Sequence, residues 1–271
     1  SSLNPDEFTV MVQQIRRTET ALGRLPMRVS ADELDYRRKM KKVLVAALPL
    51  PVAHVVTPDD LTFKRGNFSC HSLYMEEVVG RKLSQEISED EAFTRAHFDL
   101  RVGILVAVRM KSTRFPKKAI KLICGQTATE HLLDRVKLSK RADEVVLCTS
   151  EESIDDCLPE LAEGKNVLAV RGDADDVIAR FLKAVRRFDL DVIVRITGDD
   201  ILIDPVHVDA AVDYHLMQNN DYTACKKLPS GTEGEVISVS ALQQTYDLAQ
   251  DTSYSEYMTS YMTNEQFFRI G

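Results

Sequence analysis

Six cations and no acid fall within residues 109–121 (RMKSTRFPKKAIK), directly after the apolar run 102–108. A basic loop leaving a buried strand is suited to hold phosphate. Arg109, Arg114 and Lys118 would supply charge, and Ser112 and Thr113 would donate hydroxyl and backbone hydrogen bonds. The plain alternatives are a solvated basic face for the charges and ordinary turn formation for the hydroxyls. A second group lies further on, where Gly198 precedes Asp199 and Asp200 in the run RITGDDILIDP. Adjacent carboxylates at a strand end suit Mg²⁺, a hard cation that takes oxygen ligands and shares its shell with substrate phosphates. Asp199 is the expected ligand, Asp200 is open between ligand and turn cap, and Asp204 before Pro205 reads as a helix cap.

Charge is distributed unevenly. Residues 101–141 hold eleven Lys and Arg against two Asp and Glu, while residues 142–271 hold ten against twenty-five. A chain of net charge -7 has therefore gathered its positive charge in one place. Such a local field favours a nucleoside triphosphate, and the overall charge argues against extended nucleic-acid binding. The five cysteines are odd in number and include no CxxC pair, which indicates neither a disulfide framework nor a thiolate metal site. No stretch approaches the ~18–20 apolar residues of a membrane span, and the opening SSLNPDEF lacks the parts of a signal peptide. A cytoplasmic protein without a membrane partner is expected. GxGxxG, GxxxxGK, HxxxH and HExxH are all missing, so a dinucleotide site, a P-loop and a histidine-based metal site are not indicated. His131 is expected to be packed or at the surface.

The elements that must position these groups follow from the apolar pattern. From residue 102 strands and helices alternate. Strand 102–108 is followed by a helix over 127–140 opened by a Thr127–Glu130 capping box, then strand 144–149 and a helical stretch after Glu151. Strand 167–170, helix 174–188 and strand 191–196 complete the series. This is the signature of a parallel, doubly wound sheet, whose ligands bind beyond the carboxyl ends of its strands. Upstream, Phe8, Met11, Val12, Ile15 and Leu22 share one stripe of a helix that Asn4 and Pro5 open and Gly23 stops, and that stripe needs a covering surface. A polar linker leads to short strands at 43–48, 55–56, 61–63 and 78–79. These read as a small β-rich module near the size limit for independent folding, expected to pack on a neighbour or to oligomerise.

The runs AVRMKSTRFPKKAI, VRITGDDILIDP, GTEGEVIS and SEYMTSYM stand in order over residues 102–271. Together they resemble the acylneuraminate and 3-deoxy-manno-octulosonate cytidylyltransferases, especially the polysaccharide-biosynthesis branch. The resemblance implies an α/β fold, a three-layer, Rossmann-like nucleotidyltransferase domain with a mostly parallel sheet. It implies a reaction of CTP with an acidic sugar, assisted by Mg²⁺, giving a CMP-sugar and pyrophosphate. Arg109, Ser112, Arg114, Pro116 and Lys118 match the family's nucleotide loop, and Asp199 its metal-binding Asp. Arg109, Lys118 and Asp199 are thereby the expected catalytic residues. Gly231, Glu233, Glu235, Glu256 and Thr259 match positions near the sugar. The sequence departs from the family at Lys111 and Lys117, which replace glycines beside the phosphates, and at residues 255–257, where Ser-Glu-Tyr replaces Arg-Glu-His. It also ends before the strand that carries the family's second metal-binding Asp. These departures imply a distorted loop, an incomplete metal site and a domain truncated at its carboxyl end.

The amino-terminal part has its own resemblance. Residues 1–40 look like the last barrel helix and linker of sialic acid synthases. Residues 41–98, with LTFKRG and VVGRKLSQEIS, resemble the antifreeze-like SAF domain of those enzymes. In that family the small domain gives an arginine to the sugar site of a neighbouring subunit, and Arg65 is the matching position. The expected layout is thus 1–40 helix and linker, 41–98 SAF-like domain and 101–271 cytidylyltransferase-like domain, in a homo-oligomer. Two readings follow. One is a cytidylyltransferase activating a sialic acid-type sugar, fused to part of a synthase. The other is a non-catalytic binding and oligomerisation module of a bifunctional synthase–cytidylyltransferase.

Overall fold

The computed structural model describes residues 4–22, 30, 32–33, 36, 40–111, 115–225, 228–229, 231–249 and 259–271. The chain divides into one unit of residues 1–42 with 65–67 and a second of residues 43–64 with 68–271. Among the described residues no helix is long and apolar enough to cross a membrane.

The first unit contains helix α1 (Pro5–Leu22). Its start is the expected one: Asn4 Oδ1 accepts from the Glu7 N–H at 2.9 Å, and Glu7 Oε2 accepts from the Asn4 N–H at 2.8 Å. Two amide groups at the helix start are satisfied reciprocally. Phe8, Val12 and Ile15 of its stripe are exposed.

Strands β1 (Lys42–Ala46) and β2 (Leu61–Arg65), whose residues 43–46 and 61–64 belong to the second unit, pair in a small sheet. Leu44, Leu50, Val56, Leu73, Leu83, Ile87 and Phe93 bury a core beside it. Two expected strands fail here. Val55 makes a single bridge to Lys82, and the segment ending at Val78 is a one-turn helix α2 (Met75–Val78). The Glu77 carboxylate accepts from the Tyr74 N–H at 2.9 Å, which closes the turn and competes with an extended backbone.

Residues 102–270 build the sheet. Its strands are β3 (Val102–Ala107), β6 (Glu144–Ser150), β7 (Leu168–Gly172), β8 (Val192–Thr197), β9 (Tyr222–Ala224) and β10 (Glu235–Ser238), in the order β7-β6-β3-β8-β10-β9. β3 runs parallel to both neighbours, with Ile104 opposite Val145 and Val194, while β10 is antiparallel to β8 and β9. Between β3 and β6 lie the short pair β4 (Leu122–Ile123) and β5 (Gln126–Thr127) and helix α3 (Ala128–Val136). The remaining helices are α4 (Cys157–Gly164), α5 (Val177–Phe188), α6 (Pro205–Gln218), α7 (Val239–Leu248) and α8 (Thr259–Met262).

β3 is apolar throughout because both its faces are covered. Ile104 and Val106 enter one core with Leu132, Leu133 and Leu158, and Leu105 enters the other with Phe181 and Leu182. Two helix limits differ from the sequence expectation for local reasons. α3 ends at Val136 rather than residue 140, because the Lys140 and Arg141 N–H groups turn to the Asp209 carboxylate at 3.0 and 3.2 Å. α5 starts at Val177 rather than 174, because Asp173 Oδ1 holds the Asp175 and Asp176 N–H groups and Asp176 caps Ala179.

A buried ionic network fastens the β-rich part to the large sheet. Arg95 donates to Glu77 at 2.7 Å and Asp221 at 3.2 Å, and its backbone N–H reaches Asn219 Oδ1 at 2.7 Å. Arg269 meets Asp221 at 2.7 and 2.9 Å and Glu77 at 2.9 and 3.0 Å. His215 lies beneath, bonded to Thr223 Oγ1 at 3.0 Å and Ser238 Oγ at 2.9 Å.

Candidate active site

Strand order reverses between β3 and β8: the chain goes from β3 outward to β6 and β7, then returns to the other side of β3. At such a switch point the loops splay apart and leave a crevice at the strands' carboxyl ends. The basic loop leaves β3 there and the acidic turn leaves β8 there. Gly198 permits their approach, since a Cβ on it would lie 3.0 Å from Val108 Cγ2 and 3.1 Å from the Ala107 carbonyl.

The structure brings Lys118 and Asp199 together, with Nζ 2.7 Å from Oδ2. Burial pushes the Asp199 carboxyl up, but the Lys118 ammonium outweighs it and holds the group below its usual range. Asp200 turns the other way. Its Oδ2 accepts from the Thr197 hydroxyl at 2.6 Å and N–H at 3.1 Å, so it shapes the turn, and burial raises its carboxyl. Asp204 caps α6 through the Val206 N–H at 2.9 Å, as its place before Pro205 foretold. Arg109 Nη1 reaches the Ala174 carbonyl at 3.3 Å and Asp175 at 3.4 Å. His131 lies on α3 and meets the Ile123 carbonyl at 2.7 Å, a structural contact.

Both ends of the basic loop are anchored by groups that the sequence did not advertise. Asp155, buried, accepts the Met110 N–H at 2.6 Å and is itself held by Ser150. Thr129 Oγ1 donates to the Ala119 carbonyl at 2.9 Å. Lys117 sits at φ 56°, ψ 29°, the left-handed region that glycine enters most easily. Ser112, Thr113 and Arg114 lie outside the described residues, as does Glu256.

A cavity of about 320 Å³ opens beside Asp200, lined by Arg195, Thr197, Cys225, Gly231, Glu233 and Glu235. Glu235 and Arg195 are directly opposite across β10 and β8 and form an ion pair. The other Glu235 oxygen accepts from the Tyr222 hydroxyl at 2.6 Å, and Thr259 also bonds that hydroxyl. The two expected sugar-site residues Glu235 and Thr259 thus meet through Tyr222. Glu233 faces the cavity and accepts the Thr232 N–H at 3.1 Å. Arg65 is exposed at the end of β2 in the other unit. A larger cavity of about 880 Å³ lies by Val102, at the amino end of β3, away from the strand ends that carry the charged groups.

Residues 103–270 match the family model described as Cytidylyltransferase. The chain belongs to the cytidylyltransferase family. Residues 41–99 match the SAF domain model in addition. The spore coat polysaccharide biosynthesis protein SpsF of Bacillus subtilis is 31% identical, over 59% of this chain and 69% of that protein. A 3-deoxy-manno-octulosonate cytidylyltransferase of Geobacter metallireducens is 28% identical, over 42% of this chain and 44% of that protein. Among solved structures, a cytidylyltransferase from Leptospira borgpetersenii is 32% identical with a TM-score of 0.60, over 64% of this chain and 75% of that one. The cytidylyltransferase match spans both the basic loop and the acidic turn, so the crevice between β3 and β8 is where the family's chemistry is to be sought.

Proposed function

We propose that this cytidylyltransferase joins CTP to an acidic sugar, giving a CMP-sugar and pyrophosphate. The observation that carries the reading is the Lys118–Asp199 pair at the switch point, one loop bringing the cation and the other the carboxylate. In this reading a sugar hydroxyl gives its proton to solvent and its oxygen attacks the α-phosphorus. The new O–P bond forms as the bond to the β-phosphate oxygen breaks and pyrophosphate departs. Lys118 and Arg109 neutralise charge that builds on the phosphate oxygens, and Ser112, Thr113 and Arg114 complete the nucleotide loop. Glu233 accepts sugar hydroxyls in the cavity beside Asp200. Glu235, with both oxygens engaged, positions Arg195, and Glu256 and Thr259 complete the proposed sugar-binding set.

The donor set fits Mg²⁺. Asp199 is anionic and about half exposed, and among the described residues no trio of His, Cys, Asp and Glu forms a closed cage. That is the arrangement of an ion held by one or two carboxylates and by substrate phosphates. When bound, Mg²⁺ would neutralise phosphate charge. The similarity to 3-deoxy-manno-octulosonate enzymes and the adjoining SAF domain support a keto-acid sugar of sialic acid type, made by a synthase whose barrel tail is residues 1–40. A homo-oligomer in the cytoplasm, with Arg65 serving a neighbouring subunit, completes the proposal.

The second reading, a non-catalytic assembly module, draws on Lys111 and Lys117. Lys117 nonetheless adopts the left-handed backbone that a glycine would take at that position. Asp199→Asn tests the assignment: Mg²⁺-dependent turnover should fall by about 10²-fold or more while the unfolding midpoint holds. Equal activity would remove Asp199 from the role.

A further inference from the structure

Three adjacent strands carry a row of side chains that leads into the cavity beside Asp200. Arg195 on β8 and Glu235 on β10 are directly opposite, and Tyr222 on β9 is the diagonal neighbour of Glu235, since Tyr222 itself pairs with Ile237. Residues two apart share one face of a strand, and an aromatic side chain spans that diagonal. The Tyr222 hydroxyl donates to one Glu235 oxygen at 2.6 Å, which leaves the other for Arg195. Arg195 and Glu235 line the cavity. The Tyr222 ring is instead buried in the core with Ile237, Leu242 and Phe268. Burial, and then the Glu235 carboxylate, push the phenol above its ordinary value, so it keeps its proton and remains a donor.

The near ends of β9 and β10 are held from the SAF domain. Arg95, buried, donates through Nη1 to Ser238 Oγ at 2.7 Å, at the end of β10, and to the Asn220 carbonyl. Through Nη2 it reaches Asp221, next to Tyr222, at 3.2 Å, and Glu77 of its own domain at 2.7 Å. The strands are tied to each other at the same level, where the Ser238 N–H donates to the Asp221 carbonyl at 3.0 Å and Ser238 Oγ to the Asn220 carbonyl at 3.0 Å. One guanidinium thus fixes both strands that carry the Tyr222–Glu235 bond. Its planar fork sets their spacing in a way that an ammonium cannot. A short bond to a carboxylate depends steeply on that spacing, and a misplacement of about 1 Å in a supporting group is enough to impair a site.

We propose that the SAF domain forms part of the sugar site: Arg95 sets the spacing of β9 and β10, Tyr222 thereby holds Glu235, and Glu235 aims Arg195 at the sugar. This rests on the reading of the cavity as the acidic-sugar site. Arg95 and Tyr222 are positioning residues, since they act through Glu235 and Arg195.

The test is pyrophosphate release from CTP and Mg²⁺ with 3-deoxy-manno-octulosonate and with N-acetylneuraminate, for the wild type, Tyr222→Phe, Arg95→Lys and the double variant of the full chain, with CTP affinity read by calorimetry. Tyr222→Phe should raise the KM of the accepted sugar by about tenfold and leave CTP affinity within about twofold. Arg95→Lys should raise that KM by about fivefold alone but by less than about twofold on top of Tyr222→Phe, because it acts through the hydroxyl that is already gone; independent effects would multiply. Glu77→Gln, which slackens the same grip, takes the place of Arg95→Lys should the lysine variant not fold. An unchanged KM in Tyr222→Phe, effects that multiply in the double variant, or equal losses for CTP and sugar would each overturn the inference while leaving the transferase. Turnover of neither sugar by the wild type would overturn the acidic-sugar reading and the inference with it.

Discussion

Arg269→Met should be among the most destabilising single changes in this chain. The Arg269 side chain makes four hydrogen bonds to carboxylates, two to Asp221 and two to Glu77, and a fifth to the Ser72 carbonyl at 3.0 Å. The side chains of Arg269 and Asp221 are 12% and 11% exposed, so solvent screens them little. Methionine matches the volume roughly but leaves two acids facing Arg95 alone. Removing one partner from a buried ion pair costs about 3–5 kcal/mol, against a total stability of about 5–15 kcal/mol for a folded domain. Urea unfolding at pH 7, followed by circular dichroism, reads the loss directly. Because Glu77 and Arg95 belong to residues 41–99 and Asp221 to the sheet, that loss should also let the β-rich part open at lower urea than the sheet. Arg269→Lys should recover less than half, since an ammonium cannot span two carboxylates as a guanidinium does. A loss under about 1 kcal/mol with one cooperative transition would refute the reasoning.

Acid should weaken the same region. Burial and then the Arg95 charge hold the His215 ring down to about 3, from an ordinary 6.5. Below pH ~6.5 the unfolded chain therefore takes a proton that the folded chain refuses, so stability falls as pH drops from about 6.5 toward 3, by up to about 1.4 kcal/mol per unit. Glu77 and Asp221 are raised by burial but held below their usual range by Arg269, which adds a further loss below about pH 4. Chemical unfolding from pH 7 to 4.5 should show this slope in the wild type and a flatter one in His215→Asn; identical slopes would exclude His215 as its source. Glu235→Gln should raise the sugar KM by about tenfold with little change in CTP binding, because it loosens Arg195 in the cavity rather than the nucleotide loop. Matching losses for both substrates would mean that Glu235 serves the fold alone.

Much of the fold was legible because its signals are local. Alternating strands and helices, the Thr127–Glu130 box and the Asp204-Pro205 cap each depend on residues within one turn, and each appears as read. β3 was evident as an apolar run since both its faces are buried. The chemistry was legible in part: the basic loop and Asp199 stand out by charge, and their meeting follows from the switch point. Asp155 and Arg195 were not, because their roles come from burial and from partners 40 to 45 positions away in sequence. The helix at residues 75–78 was missed because Glu77 closes it through a side chain, where two valines alone suggested a strand.

Nucleotidyl transfer is proposed at the β3–β8 crevice. Pyrophosphate release from CTP and Mg²⁺ with a panel of eight- and nine-carbon keto-acid sugars, run beside Lys118→Met, tests it most directly. Release should need the sugar and fall by about 10²-fold in the variant. Absence of release with every sugar, together with no CTP binding by calorimetry, would contradict it.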